Sequence, residues 1–125
     1  MTALVDLRWL AGLLEGEGTF RLHRSWKSAA GHPGHAVIVV KMADRDVVAQ
    51  VAEAWGVTLQ GPYKSAAPDG RALRTLYSAQ VNGAEAVDWM LRLYPFLGAR
   101  RRASIRAVVS ARWAYEATGR ARRTS

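Results

Sequence analysis

The run Leu10-Ala11-Gly12-Leu13-Leu14-Glu15-Gly16-Glu17-Gly18 decides how the rest of this chain is read. It is apolar at helical spacing yet places two glycines four residues apart, and each glycine inside a helix costs about 1 kcal/mol relative to alanine. Such a pair signals a compensating close approach of another backbone, as small residues at this spacing allow elsewhere. The run closes on Glu15 and Glu17, at the helix end where the macrodipole disfavours negative charge. A carboxylate there is either solvated or neutralised by a cation, and a divalent metal ion fits that role.

Working outward, Asp6 suits an N-cap for a helix that reaches Glu15, and Gly18 suits its stop. A strand at 19–24 follows, then a loop at 25–34 containing Trp26, Lys27, Gly31, Pro33 and Gly34, which reads as an extended hairpin connection. The β-branched run at 36–42 is the clearest strand of the chain. Asp44 or Asp46 can cap a second helix with Val47, Val48, Val51 and Trp55 at helical spacing. Two strands at 58–64 and 72–81 flank a turn with Pro68, Asp69 and Gly70, and Pro62 marks the first of them as an edge or bulged strand. A third helix from Ala84 carries Val87, Met90, Leu91 and Tyr94 and ends at Pro95. A fourth, from Gly98, carries Ile105, Val108, Val109 and Trp113, with Arg112 laying its stem on the core. Trp9, Trp55, Trp89 and Trp113 fall on predicted helices and read mostly as core. The order predicts an α+β fold with one antiparallel sheet and helices on one face.

At 125 residues the chain has room for one domain, expected over 1–118 with a basic, disordered tail at 119–125. Without cysteine there is no disulfide framework and no thiolate metal site. The first residues, interrupted by Asp6 and Arg8, read as neither signal peptide nor membrane span, so a cytoplasmic protein is expected. The net charge of +8 is concentrated at one end: from Arg100 onward eight arginines face the single Glu116, whereas residues 1–99 carry ten basic and nine acidic side chains. Such a block can contact phosphates with counterion release, or keep a helix and tail soluble.

The run LAGLLEGEG, followed by Thr19-Phe20-Arg21-Leu22-His23-Arg24, resembles the signature of the LAGLIDADG homing endonucleases, departing from it at Leu14, Glu15, Gly16 and Glu17. The resemblance covers nearly the whole chain and implies an αββαββα unit whose saddle-shaped antiparallel sheet sits over DNA. A chain with one motif is expected, in that family, to pair with itself through the motif helices. Trp9, Gly12, Leu13 and Gly16 would form that interface, which accounts for the glycines.

The resemblance also implies a site. The family's metal ligand is the penultimate residue of the motif, here Glu17, with Mg²⁺ as the metal and Mn²⁺ able to substitute. Glu15, two residues earlier, reads as structural. Asp44, just before the second helix, matches the position that supports the catalytic water, and is also a candidate helix cap. The segment Pro95-Phe96-Leu97-Gly98-Ala99-Arg100-Arg101-Arg102 resembles the region that supplies a basic catalytic residue, for which Arg100 leads Arg101 and Arg102; the latter two are candidate DNA contacts.

Strand alternation supplies the DNA-facing set. Thr19, Arg21 and His23 share one face of the first strand, and Arg74, Ser78 and Gln80 one face of the last, with Leu76 an apolar interruption. Arg and Gln suit guanine and adenine edges in the major groove. Lys41 and Gln60 join this set, with Arg24, Trp26 and Lys27 as loop contacts. His32 and His35 read as loop residues, and Gly16-Glu17-Gly18 is too short for a nucleotide-binding loop. The expected function is therefore a homodimeric, Mg²⁺-dependent, site-specific double-strand DNA endonuclease acting on a palindromic or pseudo-palindromic target, of the kind encoded by mobile introns or inteins. The alternative is a non-cleaving DNA- or RNA-binding protein of the same fold, a splicing helper or regulator. A basic dimer without sequence specificity is the third reading.

Overall fold

The computed structural model describes residues 6–24, 32–66 and 73–117; Trp26, Lys27 and the tail at 119–125 lie outside them. Asp6 caps helix α1 (Leu7–Glu17), its carboxylate accepting from the Arg8 amide at 2.8 Å. The helix runs two residues further than expected, so Glu17 is still helical and strand β1 (Gly18–His23) begins with no loop between. Gly18 is extended, and what requires glycine there is proximity: a Cβ would lie 2.8 Å from both the Leu14 carbonyl oxygen and its Cδ2.

Strand β2 (His35–Met42) pairs antiparallel with β1. Asp44 rather than Asp46 caps helix α2 (Arg45–Trp55), accepting from the Val47 amide at 3.3 Å. Strands β3 (Gln60–Ala66) and β4 (Leu73–Asn82) follow, then helix α3 (Gly83–Leu93), a 3-10 turn at Tyr94–Phe96 holding Pro95, and helix α4 (Ala99–Ala117). The sheet is open, wholly antiparallel and ordered β1-β2-β4-β3. Pro62 occupies both of its expected places: β3 is an edge strand, and its register shifts between Gln60 and Tyr63 around the cis Gly61–Pro62 bond. Strand β3 starts and ends two residues later than the pattern predicts.

The four helices cover one face. Phe20, Ile38, Val40, Ala79 and Val81 project from that face into a single buried cluster with Leu10, Leu14, Val48, Val51, Met90, Leu93, Ile105 and Val108. Each fully buried aliphatic side chain contributes about 1.5–3 kcal/mol, so this layer contact is what holds the sheet rigid. The α+β class and the order αββαββα, followed by a fourth helix, are as expected. Two core expectations are corrected. In α3 the buried stripe is Ala86, Met90 and Leu93, which turns Leu91 outward at 49% exposure. Of the helical tryptophans only Trp55 is buried; Trp89 is half-buried, and Trp9 and Trp113 are 40 and 61% exposed.

Candidate nucleic-acid interface and motif helix

Helix α1 buries Leu10, Ala11 and Leu14 and leaves its opposite side uncovered. On that side Trp9, Gly12, Leu13 and Gly16 follow one another at i, i+3, i+4 and i+7, the spacing of a single helix face. Gly12 and Gly16 are exposed, and a Cβ at either would meet nothing within 4 Å. Among the described residues nothing therefore explains these two glycines. Glu17 ends the same helix and is exposed. Glu17 stands at the negative dipole end of α1, a position where a carboxylate is best matched by a cation. Magnesium takes one or two protein carboxylates and several waters, so one exposed Glu suits part of such a site. Among the described residues no three His, Cys, Asp or Glu side chains of one chain come together as a metal cage.

Glu15 is occupied elsewhere. Its Oε1 accepts from the Gly98 amide at 2.6 Å, and its backbone carbonyl accepts from Arg101 Nε at 3.1 Å. Arg101 is thus turned inward against α1, while Arg100 is exposed on the first turn of α4 and Arg102 is half-buried beside it. Asp44, at the end of β2, is exposed and bonded to its own helix.

The uncovered sheet face is the other notable surface. Its strands contain no carboxylate at all. Cross-strand rows run Thr19–Val39–Gln80, Arg21–Val37–Asn82 and Lys41–Ser78–Gln60, so predicted residues from all four strands are brought together. Arg21, Val39, Lys41, Gln60, Ser78 and Gln80, with Tyr63 and Asn82, line a depression of about 410 Å³. Its lining joins one valine and the buried Ser78 to amide and cationic side chains. Gln80 Nε2 donates to Asn82 Oδ1 at 2.7 Å, Tyr63 donates to Gln60 Oε1 at 3.0 Å, and Lys41 Nζ sits 5.5 Å from the Tyr63 ring centre. Arg74 lies further along β4, opposite Ser65. Asn82 was within reach of the alternation rule, two positions beyond Gln80, but falls past the expected end of its strand. Tyr63 was hidden by the register shift at Pro62.

His23 and Arg24 are exposed at the end of β1, and His23 pairs with His35. Beyond them His32 accepts from the Gly34 amide through Nδ1 at 2.9 Å and packs on Tyr115 of α4 with ring centres 4.7 Å apart. Partial burial, and then the positive charge of Arg112 with His35 and Arg24, hold His32 below the ordinary imidazole value. Arg112 donates to the Gly34 carbonyl at 3.3 Å and lies 3.8 Å from Glu116, so its head is used to tie α4 to the start of β2.

No protein-family profile and no curated protein matches the sequence. Solved structures do. The homing endonuclease I-CvuI in complex with its target in the presence of 2 mM Ca superposes with a TM-score of 0.60 at 14% identity, over 85% of this chain and 65% of that one. A second I-CvuI complex, with the I-CreI target and 2 mM Mg and its DNA not cleaved, gives 0.56 at 14% identity. An archaeal intron-encoded homing endonuclease complexed with DNA gives 0.56 at 15% identity, over 81% of this chain and 64% of that one. The chain has the homing-endonuclease fold and spans less than two thirds of the length of those chains.

Proposed function

We propose that this chain is a site-specific double-strand DNA endonuclease that works as a homodimer through α1. The observation that carries the reading is the pairing on one helix of two glycines with no described residue beside them and a terminal exposed carboxylate, Glu17. A two-fold contact along Trp9, Gly12, Leu13 and Gly16 lets two backbones approach closely and brings two Glu17 side chains to the axis. The open sheet faces then continue one another across two half-sites, which predicts a palindromic or pseudo-palindromic target. Carboxylate-free strands, with Arg21, Lys41 and Arg74 on the open face, suit a polyanion. Arg21 and the Gln80–Asn82 pair suit base edges, and Arg102 suits phosphate.

Glu17 would hold Mg²⁺, with Mn²⁺ in its place under substitution, and the bound ion would supply water activation and charge neutralisation on the phosphate. Arg100, exposed at the start of α4, is the side chain assigned to stabilise developing negative charge. Asp44 is assigned to orient water near the end of β2. Its use as a helix cap is the observation that favours the second reading, a DNA- or RNA-binding protein of the same fold without cleavage. One experiment separates them: a randomised duplex library is incubated with the protein and Mg²⁺, and the recovered target is then tested with Glu17→Gln. Cleavage by the unaltered chain and loss of it in the variant, with binding in Ca²⁺ kept, supports the nuclease. Equal cleavage by the variant removes Glu17 from the mechanism, and binding without any nicking in Mg²⁺ or Mn²⁺ supports the second reading.

A further inference from the structure

The ends of α1 and α4 solve each other's bonding problem. The last carbonyls of a helix and the first amides of another have no partners within their own helices, and their partial charges are opposite. Here the Glu15 carboxylate, on the last turn of α1, accepts from the Gly98 amide immediately before α4 at 2.6 Å. In return Arg101, on the first turn of α4, donates through Nε to the Glu15 backbone carbonyl at 3.1 Å and stays 3.9 Å from its Oε2. The contact joins residues more than eighty apart in sequence. The Arg101 side chain is 15% exposed and that of Glu15 42%, and a Cβ at Gly98 would come 3.2 Å from Glu15 Oε1. Glycine at 98 therefore leaves the carboxylate its seat.

Two residues beyond Glu15 stands Glu17, and one residue before Arg101 stands Arg100. We propose that Glu15 and Arg101 form a reciprocal helix cap that fixes Glu17 against the start of α4, making both of them positioning residues for the site assigned to Glu17. The proposal rests on the nuclease reading above. It also gives the two acids of the motif separate tasks: Glu17 is left free at the helix end, and Glu15 sets where that end lies.

The cap is tested first without cleavage, by amide hydrogen exchange on the full chain. Glu15→Ala is expected to speed exchange tenfold or more at the Gly98 amide and, together with it, at the amides of Glu17 and Gly18. Glu15→Gln, which keeps the accepting oxygen, is expected to restore most of the protection. Arg101→Met reports the same coupling from the other helix and should expose the Glu17 end likewise. No change, or a change confined to Gly98, overturns the proposal.

The second readout is single-turnover cleavage. Glu15→Ala is expected to lower the maximal rate about 10- to 100-fold and to raise the Mg²⁺ needed for half the maximal rate, without weakening binding in Ca²⁺. Glu15→Gln is expected to recover part of both. A purely structural cap would lower the melting temperature and leave the rate at saturating Mg²⁺ unchanged, which overturns the positioning role. If the unaltered chain cleaves nothing it binds, the nuclease reading falls, and the exchange experiment still decides whether the two helix ends are coupled.

Discussion

Replacing Gly12 and Gly16 with alanine sets two consequences of one geometry against each other. In an isolated chain both methyls enter open space, and each Gly→Ala change inside a helix gains about 0.8–1.0 kcal/mol. The double variant should therefore fold more stably by about 2 kcal/mol. With an unfolding entropy of about 2.1 cal/mol/K per residue over 125 residues, that is a rise of about 8 °C in Tm. In the proposed dimer the same methyls fall where two backbones approach. Overpacking costs about 1–3 kcal/mol per site, and a two-fold axis presents four added methyls. The loss is then at least about 4 kcal/mol of association, or close to a thousandfold in the dimer Kd. The helical gain is common to folded monomer and dimer, so it does not offset this loss. Sedimentation equilibrium over a range of concentrations reads the dimer Kd, and thermal unfolding at the most dilute condition reads the monomer. Weakened association with raised monomer stability is the expected pair. If Tm rises while the dimer Kd and DNA binding stay as they were, the glycines are not at a subunit interface and the reasoning fails.

Arg21→Ala should relax preference at one symmetric pair of base positions, costing about 1–3 kcal/mol of discrimination there, whereas Arg102→Ala should weaken all sequences alike and reduce the salt dependence by about one counterion. Competition binding across single-base target variants distinguishes the two, and uniform weakening by Arg21→Ala would remove it from base reading. Partial burial, and then the positive charge of Arg112 with His35 and Arg24, hold the His32 imidazole below its ordinary value. The unfolded chain takes up the proton first, so stability is full above the ordinary imidazole range, falls as pH drops through it and levels once folded His32 is also protonated. Tm followed against pH should show this step in the unaltered protein and lose it in His32→Gln; identical curves refute the assignment.

Much of the fold was legible because local rules and tertiary packing agree. Asp6 and Asp44 cap where a short polar side chain precedes an apolar periodic run, and Pro62 marks an edge. Alternation placed Arg21 on one face of β1 and Ser78 and Gln80 on one face of β4, and pairing between distant strands carried them, with Lys41 and Gln60, to one depression. What failed was what depends on long-range neighbours. Trp113 continues the apolar stripe of α4 in sequence, but no described element lies over it, and in α3 the buried stripe is rotated away from Leu91. The link between Glu15 and Arg101 has no local signature, since each taken alone is an ordinary charged residue near a helix end. Arginine identity likewise does not separate Arg100, Arg101 and Arg102; their angular positions on α4 do, by aiming one at α1 and another at solvent.

The direct passage from Glu17 to Gly18 bears on how such a protein can change its target. With Leu14 packed against Gly18 and no intervening residue, helix α1 runs directly into β1, and under the proposed function the two would turn as one lever. In a two-fold assembly, any rotation about the helix contact swings both reading surfaces by the same angle, so the separation of the half-sites is a property of the helix crossing and not of an adjustable hinge. New specificity must then come from side chains on the open face or from bending of the duplex. Altered spacing would demand a repacked crossing, with both of its glycines in play.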